Sequence, residues 1–215
     1  MGTKKLILVI GLSIYSSIMF AQKFNDGKYS SLSFHAGYGN MVKGTNGLSK
    51  STKEYEDKLC SGISWDIQYD FHPIKVLGVG VIYSGYFANA SHEEGADRVH
   101  THYIAPQIRL YLFENNYWEI RMAGGAGCML HRNNSTVFSK KRKTKGSDVG
   151  MNVGLDIGYK LNQHWGISLS ANYIESDLNK MKVHYHGEEF IVRYKSGNRF
   201  EMSRINISGG LSFRF

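Results

Sequence analysis

The last twelve residues of the chain alternate strictly between apolar and polar side chains. One side of the predicted strand carries Ile205, Ile207, Gly209, Leu211, Phe213 and Phe215, and the other carries Arg204, Asn206, Ser208, Gly210, Ser212 and Arg214. A strand of a transmembrane β-barrel alternates in this way, because one face meets lipid and the other meets a polar interior. A soluble sheet alternates too, but its chain rarely stops on an aromatic residue. The pattern therefore favours a strand that crosses a membrane.

Seven further segments alternate in the same manner, and each is near the 9–11 residues that a tilted strand needs to cross the hydrocarbon. They cover residues 30–40, 62–71, 76–87, 99–113, 117–130, 149–159 and 165–174. Three connections are short turns (72–75, 114–116 and 162–164), and four are long (41–61, 88–98, 131–148 and 175–203). The sequence therefore predicts an all-β fold: an eight-stranded antiparallel transmembrane β-barrel with short periplasmic turns and long extracellular loops.

Composition supports this fold class. The chain has 24 glycines, only 2 prolines and 28 aromatic residues, and the aromatic residues gather at the ends of the segments, where they suit the two membrane interfaces. The alternative is a soluble eight-stranded barrel of lipocalin type, whose apolar face points inward. Charged side chains such as Asp66, Arg109, Arg121 and Asp156 would then face bulk water. The asymmetric loop lengths favour the membrane barrel.

The first residues indicate export. Lys4 and Lys5 precede an apolar stretch of residues 6–20, and Ala21-Gln22 is a suitable cleavage point, although Met19 is large for the −3 position. The alternative, a single membrane anchor, needs about 20 apolar residues. We therefore expect residues 1–21 to be a cleaved signal peptide and residues 22–215 to form one barrel domain.

With these features the chain resembles a known family, the small outer-membrane β-barrels of Gram-negative bacteria. It is similar to the OmpX and OmpA-barrel type, and most of all to the PorT-like outer membrane protein beta-barrel group, over the whole of residues 22–215. The resemblance implies location in the cell outer membrane. It also implies that the barrel assembly machinery reads the terminal aromatic strand, so that Phe213 and Phe215 would be its assembly signal.

The predicted lumen is charged. An eight-stranded barrel has an interior just wide enough for side chains to fill. The inward positions carry four acids and five cations, namely Asp66, Asp70, Glu119, Asp156, Arg109, Arg121, Lys160, Arg204 and Arg214. Confined charges should pair, because unpaired burial is costly. We expect a plug of ion pairs that lies, except for Arg204, in the periplasmic half; a gated ion path is the alternative.

Small or uncharged residues predominate in the upper lumen. They include His35, Gly37, Gly39, Ala123, Gly125, Gly127, Gly150, Gly154, Ser168, Ser170, Asn172, Ser208 and Gly210. Three interpretations stay open: a cavity open to the outside, room for loops that fold inward, or the fit of a narrow barrel. The alternation also places Cys60 toward the lumen and Cys128 toward lipid, which favours two small packing residues over a disulfide.

The connection 131–147 carries a run of cations and no acid: Arg132, Lys140, Lys141, Arg142, Lys143 and Lys145. Residues 22–215 carry 24 basic and 18 acidic residues, so this one connection accounts for the whole excess charge of +6. Exposed basic clusters attract anionic surfaces. The sequence predicts an external loop that binds lipid phosphates, lipopolysaccharide or anionic polysaccharide; a solvated loop without a ligand is the alternative. Export argues against nucleic acid.

Catalytic and metal sites have weaker support. The pairs His100/His102 and His184/His186, with His92, suggest a metal site, but no acid or Cys completes a known spacing. Some related barrels are lipid A-modifying enzymes, yet the candidate Ser168, Ser170, Glu175 and His164 are divided between opposite membrane faces. We therefore expect no catalytic residue, no cofactor and no metal. The sequence predicts a monomeric protein that contributes to envelope integrity or to surface adhesion. A secretion-apparatus subunit and a narrow ion channel are the alternatives.

Overall fold

A computed structural model describes residues 29–42, 53–74, 76–92, 95–137, 140–194 and 200–215. The predicted signal segment lies outside the described residues. The elements are β1 (Tyr29–Met41), α1 (Lys53–Cys60), β2 (Ser61–Ile74), β3 (Leu77–His92), β4 (Gly95–Glu114), β5 (Trp118–Val137), β6 (Lys140–Lys160), β7 (Trp165–Leu178), β8 (Lys180–Tyr185), β9 (Glu188–Arg193), β10 (Phe200–Glu201) and β11 (Arg204–Arg214). No helix in this part of the chain is long and apolar enough to cross a bilayer.

Eight of these strands close into a ring in which every neighbour is antiparallel. Strands β1 to β7 pair in sequence order, β7 pairs with β11, and β11 returns to β1 through eleven residue pairs from Ser31↔Arg214 to Met41↔Arg204. The short β10 adds to β7, and the β8–β9 hairpin adds to the upper part of β6. The predicted eight-stranded barrel is confirmed.

The two faces of the ring are assigned as the alternation predicts. On β11, Ile205 and Ile207 are 45% and 57% exposed, whereas Asn206 is 2% exposed. Inward Arg109 and Arg121 are fully buried, so the lipocalin alternative, which puts these charges in bulk water, is wrong. A continuous apolar outer surface is a liability in water and is stable in lipid.

Aromatic rings form a girdle at the periplasmic end. Trp118 packs edge-on against Tyr159 with ring centroids 5.0 Å apart, and Trp165 packs against Phe213 at 4.9 Å. Phe213 also stacks on Phe215 at 5.9 Å, and the backbone of Phe215 pairs with Ser30. The two residues predicted as an assembly signal therefore belong to this girdle.

The long connections differ from the prediction, because much of them is paired strand or helix. Strands β3 and β4 pair up to His92↔Gly95, and β5 and β6 pair up to Val137↔Lys140. These extensions rise beyond the lipid, where both faces are polar and period-two hydrophobicity disappears. Backbone pairing to the neighbouring strand continues there, because it does not depend on that pattern.

Two other elements close the extracellular end. The β8–β9 hairpin turns on His186 and Gly187, whose φ angles of 57° and 88° are those of a two-residue hairpin turn. Helix α1 sits over the lumen: Leu59 is 1% exposed, and its carbonyl accepts a hydrogen bond of 3.1 Å from the Tyr86 hydroxyl. Cys60, at the end of α1, and the exposed Cys128 are not joined by a disulfide.

Candidate functional site

The centre of the lower lumen is a buried cation held between two carboxylates. Nη1 of Arg109 lies 3.2 Å from Oδ2 of Asp70 and 3.4 Å from Oδ2 of Asp156, and its Nη2 contacts the side-chain oxygen of Gln68. These side chains come from β2, β4 and β6, and each is at most 4% exposed. The ion pairs therefore tie strands that are not neighbours across the interior.

A second group of ion pairs lies nearer the periplasmic rim. Arg121 is 3.5 Å from Glu119, which also contacts Arg214. Glu114, which the sequence did not identify, lies 2.5 Å from Lys160 and 3.9 Å from Arg214. The structure thus brings eight of the nine predicted lumen charges into one periplasmic half, with Asp66 bound to His35 instead of a cation.

Arg204 is the exception, as the register predicted. It is fully buried high in the lumen and contacts the hydroxyls of Thr101 and Ser84, the latter at 3.1 Å. Its guanidinium carbon lies 5.5 Å from the centroid of the Tyr86 ring. Among the described residues no carboxylate forms an ion pair with it.

His35 joins a serine and an aspartate in an arrangement that sequence reasoning missed. Its Nδ1 lies 2.8 Å from Oδ1 of Asp66, and its Nε2 lies 2.8 Å from Oγ of Ser168. With Nδ1 as donor to the carboxylate, Nε2 accepts from the serine, which is the order of a Ser-His-Asp triad. All three come from different strands, so only the register of β1, β2 and β7 could have indicated it.

The upper lumen is filled by large side chains. Ile82, Tyr103, Met129 and Ile174 are all fully buried at this level. A Cβ added to Gly39 would lie 2.8 Å from Cδ2 of Tyr86, and one added to Gly150 would lie 3.2 Å from Cε2 of Tyr103. The small residues therefore accommodate neighbouring aromatic rings, as the narrow-barrel interpretation requires, and not an open cavity.

The predicted basic loop is a pair of strands, and this changes which of its cations act together. Because β6 alternates, Lys141, Lys143 and Lys145 point to the outer face, while Arg142 points inward and lies 3.9 Å from Asp97. Lys140 is exposed at the tip on the Arg142 side. The five cations of residues 140–145 therefore do not share one face of the strand.

Cross-strand neighbours complete a larger cationic surface on the outer side. Arg132 pairs with Lys145, and Lys145 pairs with Lys182 of β8. We call this surface the basic face: it comprises Arg98, Arg132, Lys141, Lys143, Lys145, Lys180 and Lys182. Sequence reasoning missed Arg98, Lys180 and Lys182, because their strands had been assigned to loops.

Two adjoining grooves mark the basic face. The first, of about 630 Å³, is lined by four cations, and the second, of about 510 Å³, adds four more. The described lining residues include no acid. The eight cations are Arg132, Lys145, Lys180 and Lys182 in the first groove, then Arg98, Lys141, Arg142 and Lys143 in the second.

Few acids compensate this charge. Lys182 lies 2.5 Å from Glu189, and this hydrogen bond lowers the pKa of the Glu189 carboxyl. Arg98, Arg132, Lys141, Lys143, Lys145 and Lys180 form no ion pair with another described residue. The basic face can therefore attract and hold anions.

The histidines considered for a metal site make other contacts. His102 Nδ1 lies 3.0 Å from the Tyr83 hydroxyl, and the His100 ring packs against Phe87 at 4.8 Å. His184 lies on β8, across from Lys143. His100 and His102 also line the first groove, where the neighbouring cations would repel a divalent metal ion.

A family model described as "Outer membrane protein beta-barrel domain" matches residues 11–215. No curated protein matches the chain.

Among solved structures, the chain is similar to a major outer membrane protein from Thermus thermophilus, with TM-score 0.60, 10% identity, and coverage of 88% of this chain and 100% of the other. It is also similar to Ail, the attachment invasion locus protein of Yersinia pestis, in complex with the heparin analogue sucrose octasulfate, with TM-score 0.54, 14% identity, and coverage of 88% and 100%. Neisserial surface protein A gives TM-score 0.50, 14% identity, and coverage of 88% and 98%. At these identities the likeness concerns the fold.

Proposed function

Because the chain belongs to the family of the outer membrane protein beta-barrel domain, we propose that it is a non-catalytic outer-membrane protein whose basic face captures anionic polymers outside the cell. Such capture serves surface adhesion or the integrity of the envelope. The observation that carries the proposal is the pair of grooves lined by eight cations and by no acid among the described residues.

Electrostatics explain why a polymer is the favoured ligand. The outward cations Lys141, Lys143 and Lys145 of β6 repeat along the strand every two residues, or about 6.6 Å, so they present a row of charges and not a single point. A linear polyanion that contacts several cations releases several counterions, which makes binding strong at low salt. The similar barrel Ail was solved with sucrose octasulfate, a heparin analogue, which supports a sulfated sugar as the probe.

The absence of catalysis is also part of the proposal. Ser168 has the hydrogen bonds of a triad nucleophile, but it is 8% exposed, and His35 and Asp66 are 0% and 2% exposed. None of the described grooves has Ser168 among its lining residues. A substrate carbonyl needs a position about 3 Å from the nucleophile, so this serine is placed to join strands.

The closed lumen and the mode of assembly complete the proposed role. We propose that the lumen is plugged, which the ion pairs of Arg109 in its lower part and the contact between Tyr86 and Leu59 in its upper part support. We further propose a monomer that the barrel assembly machinery folds through the strand bearing Phe213 and Phe215.

The test compares heparin binding by two charge-matched double variants of the refolded barrel. Lys141→Gln with Lys143→Gln removes two cations from the basic face, and Lys58→Gln with Lys140→Gln removes two from elsewhere. We expect the first variant to bind heparin about tenfold more weakly and the second to bind like the unmodified protein. Equal weakening by both variants would reduce the effect to net charge and refute the basic face as the site.

A further inference from the structure

A row of four cross-strand partners crosses the lower part of the basic face and includes three of its cations. His100 pairs with Arg132, Arg132 with Lys145, and Lys145 with Lys182, across β4, β5, β6 and β8. We call these four residues the interface row. All of them line the first groove. Neighbours in such a row have Cβ atoms about 5 Å apart, so three cations repel one another here.

The height of this row places it in the lipid headgroups. Twelve residues separate Trp118, in the periplasmic girdle, from Leu130. At ~3.3 Å per residue and a tilt of ~40°, this is about 30 Å along the membrane normal, which matches the hydrocarbon thickness. Arg132 lies two residues further, at about 35 Å. Lys143 and Lys141 lie higher still, at about 40 and 45 Å, and therefore in water.

Apolar side chains lie below the interface row on the same outer surface, with Leu130 at the next outward position and Ile104 and Val149 one outward position further down. Leu130 is 46% exposed, Ile104 is 48% exposed and Val149 is 67% exposed. Ile191, paired with Lys182, is 58% exposed at the far end of the row and lines the same groove. A ligand here meets an apolar wall beneath and cations above. A soluble polymer gains nothing from that wall, whereas an anionic lipid uses both parts.

The charges of the interface row also need a counterion. Lys182 has Glu189 at 2.5 Å, but Arg132 and Lys145 form no ion pair with any described residue. His100 packs on the Phe87 ring, and binding of an anion by Arg132 and Lys145 does not require a charge on His100. Two adjacent cations that point outward at headgroup height and form no ion pair with a described residue suit a phosphate monoester, which carries up to two negative charges.

We propose that Arg132 and Lys145 bind the phosphate of a phosphorylated lipid of the outer leaflet, with its acyl chains against Leu130, Ile104 and Val149. This proposal deepens the proposed function and rests on the same basic face, but it assigns the lower row to a lipid of the bilayer. The barrel thereby binds a lipid of the surrounding membrane through the interface row, and it binds external polymers through Arg98, Lys141 and Lys143.

The test measures how much lipid A the barrel retains in detergent, by native mass spectrometry of the full refolded chain. Arg132→Gln with Lys145→Gln is compared with the Lys141, Lys143 and the Lys58, Lys140 double variants. We expect the first to lose affinity for lipid A about thirtyfold, which corresponds to about 2 kcal/mol, and the other two to retain it. Equal retention by all three would overturn the inference, whatever their heparin binding shows.

Two further arms identify the source of the phosphate. Dephosphorylated lipid A should bind about as weakly to the unmodified barrel as lipid A binds to the Arg132, Lys145 variant. Inorganic phosphate at the same concentration should not displace lipid A; displacement would mean that the acyl chains contribute nothing and would refute a lipid ligand. Unchanged heat-dependent gel mobility of each variant establishes that it is folded, so a loss of lipid is attributable to the two side chains. A loss of heparin binding in the Lys141, Lys143 variant, with lipid A retained, tests the proposed function separately.

Discussion

Replacing Arg109 with Met tests whether ion pairs hold the lumen together. The substitution removes a fully buried guanidinium that lies 3.2 Å from Asp70 and 3.4 Å from Asp156, so two carboxylates lose their cation at once. Removal of one partner from a buried ion pair costs about 3–5 kcal/mol, because the remaining charge stays desolvated. We expect the free energy of unfolding of Arg109→Met to fall by about 4 kcal/mol.

The assay is urea unfolding of the barrel in lipid vesicles, followed by the folded and unfolded bands on an unheated gel. Arg193→Met is the matched control, because it removes an exposed arginine of β9 and should cost no more than about 0.5 kcal/mol. Adding Asp70→Asn and Asp156→Asn to Arg109→Met should recover part of the loss, since the unpaired charges disappear. A loss below about 1 kcal/mol, or no recovery, would refute the argument that these charges are mutually compensated.

Three other outcomes are expected. Ser168 should not react with a fluorophosphonate probe in the folded barrel, since no described groove reaches its hydroxyl; labelling that Ser168→Ala abolishes would contradict a purely structural serine. Planar bilayers that contain the protein should carry no steady conductance, because ion pairs and large side chains fill the lumen, and discrete channel openings would overturn the plug. Burial, together with the hydrogen bond to Asp97, raises the pKa of Tyr55, so its neutral form is favoured in the folded state. This stabilisation of the fold is present below pH about 10 and is lost as the pH rises beyond it. Proteolysis around α1 should therefore increase above that pH. If a Tyr55→Phe variant shows the same increase, Tyr55 is excluded as its cause.

The membrane-spanning part of the fold was predictable because lipid imposes a period of two. Glu119 and Arg121 alternate with Ile120 and Met122, as a strand between lipid and a polar lumen requires. The alternation indicates which face of each strand meets lipid, and it therefore also indicates which charges are buried in the lumen. Which acid meets which cation depends on strand stagger, and for that reason Glu114 was missed as the partner of Lys160.

The extracellular part was less predictable, because the period-two alternation of apolar and polar residues disappears above the lipid. Residues 131–137 and 140–148 are mainly polar on both faces, and backbone pairing continues the two strands there without the period-two pattern. The mean hydropathy of α1 is low, and its position depends on Leu59 and Tyr55 packing onto β3 and β4 residues distant in sequence. The His186-Gly187 turn was the one local signal available for the β8–β9 hairpin.

The same limit explains how the candidate site changed. The sequence predicted the cations of residues 132–145 as one group in a loop, and a loop does not indicate which side chains share a face. Pairing of β5, β6 and β8 moves Arg142 inward and brings Lys182 beside Lys145. The Ser168, His35 and Asp66 contact likewise arises only when β7, β1 and β2 meet through ring closure.

The salt dependence of heparin binding tests the central claim most directly, namely that the basic face is the working surface of this barrel. The logarithm of the affinity should fall linearly with the logarithm of the salt concentration, and each lost contact should reduce the slope by about 0.9 or less. We predict that the Lys141, Lys143 variant has a slope shallower by up to about 1.8, while the Lys58, Lys140 variant keeps the slope of the unmodified protein. Identical slopes for all three proteins would contradict the account.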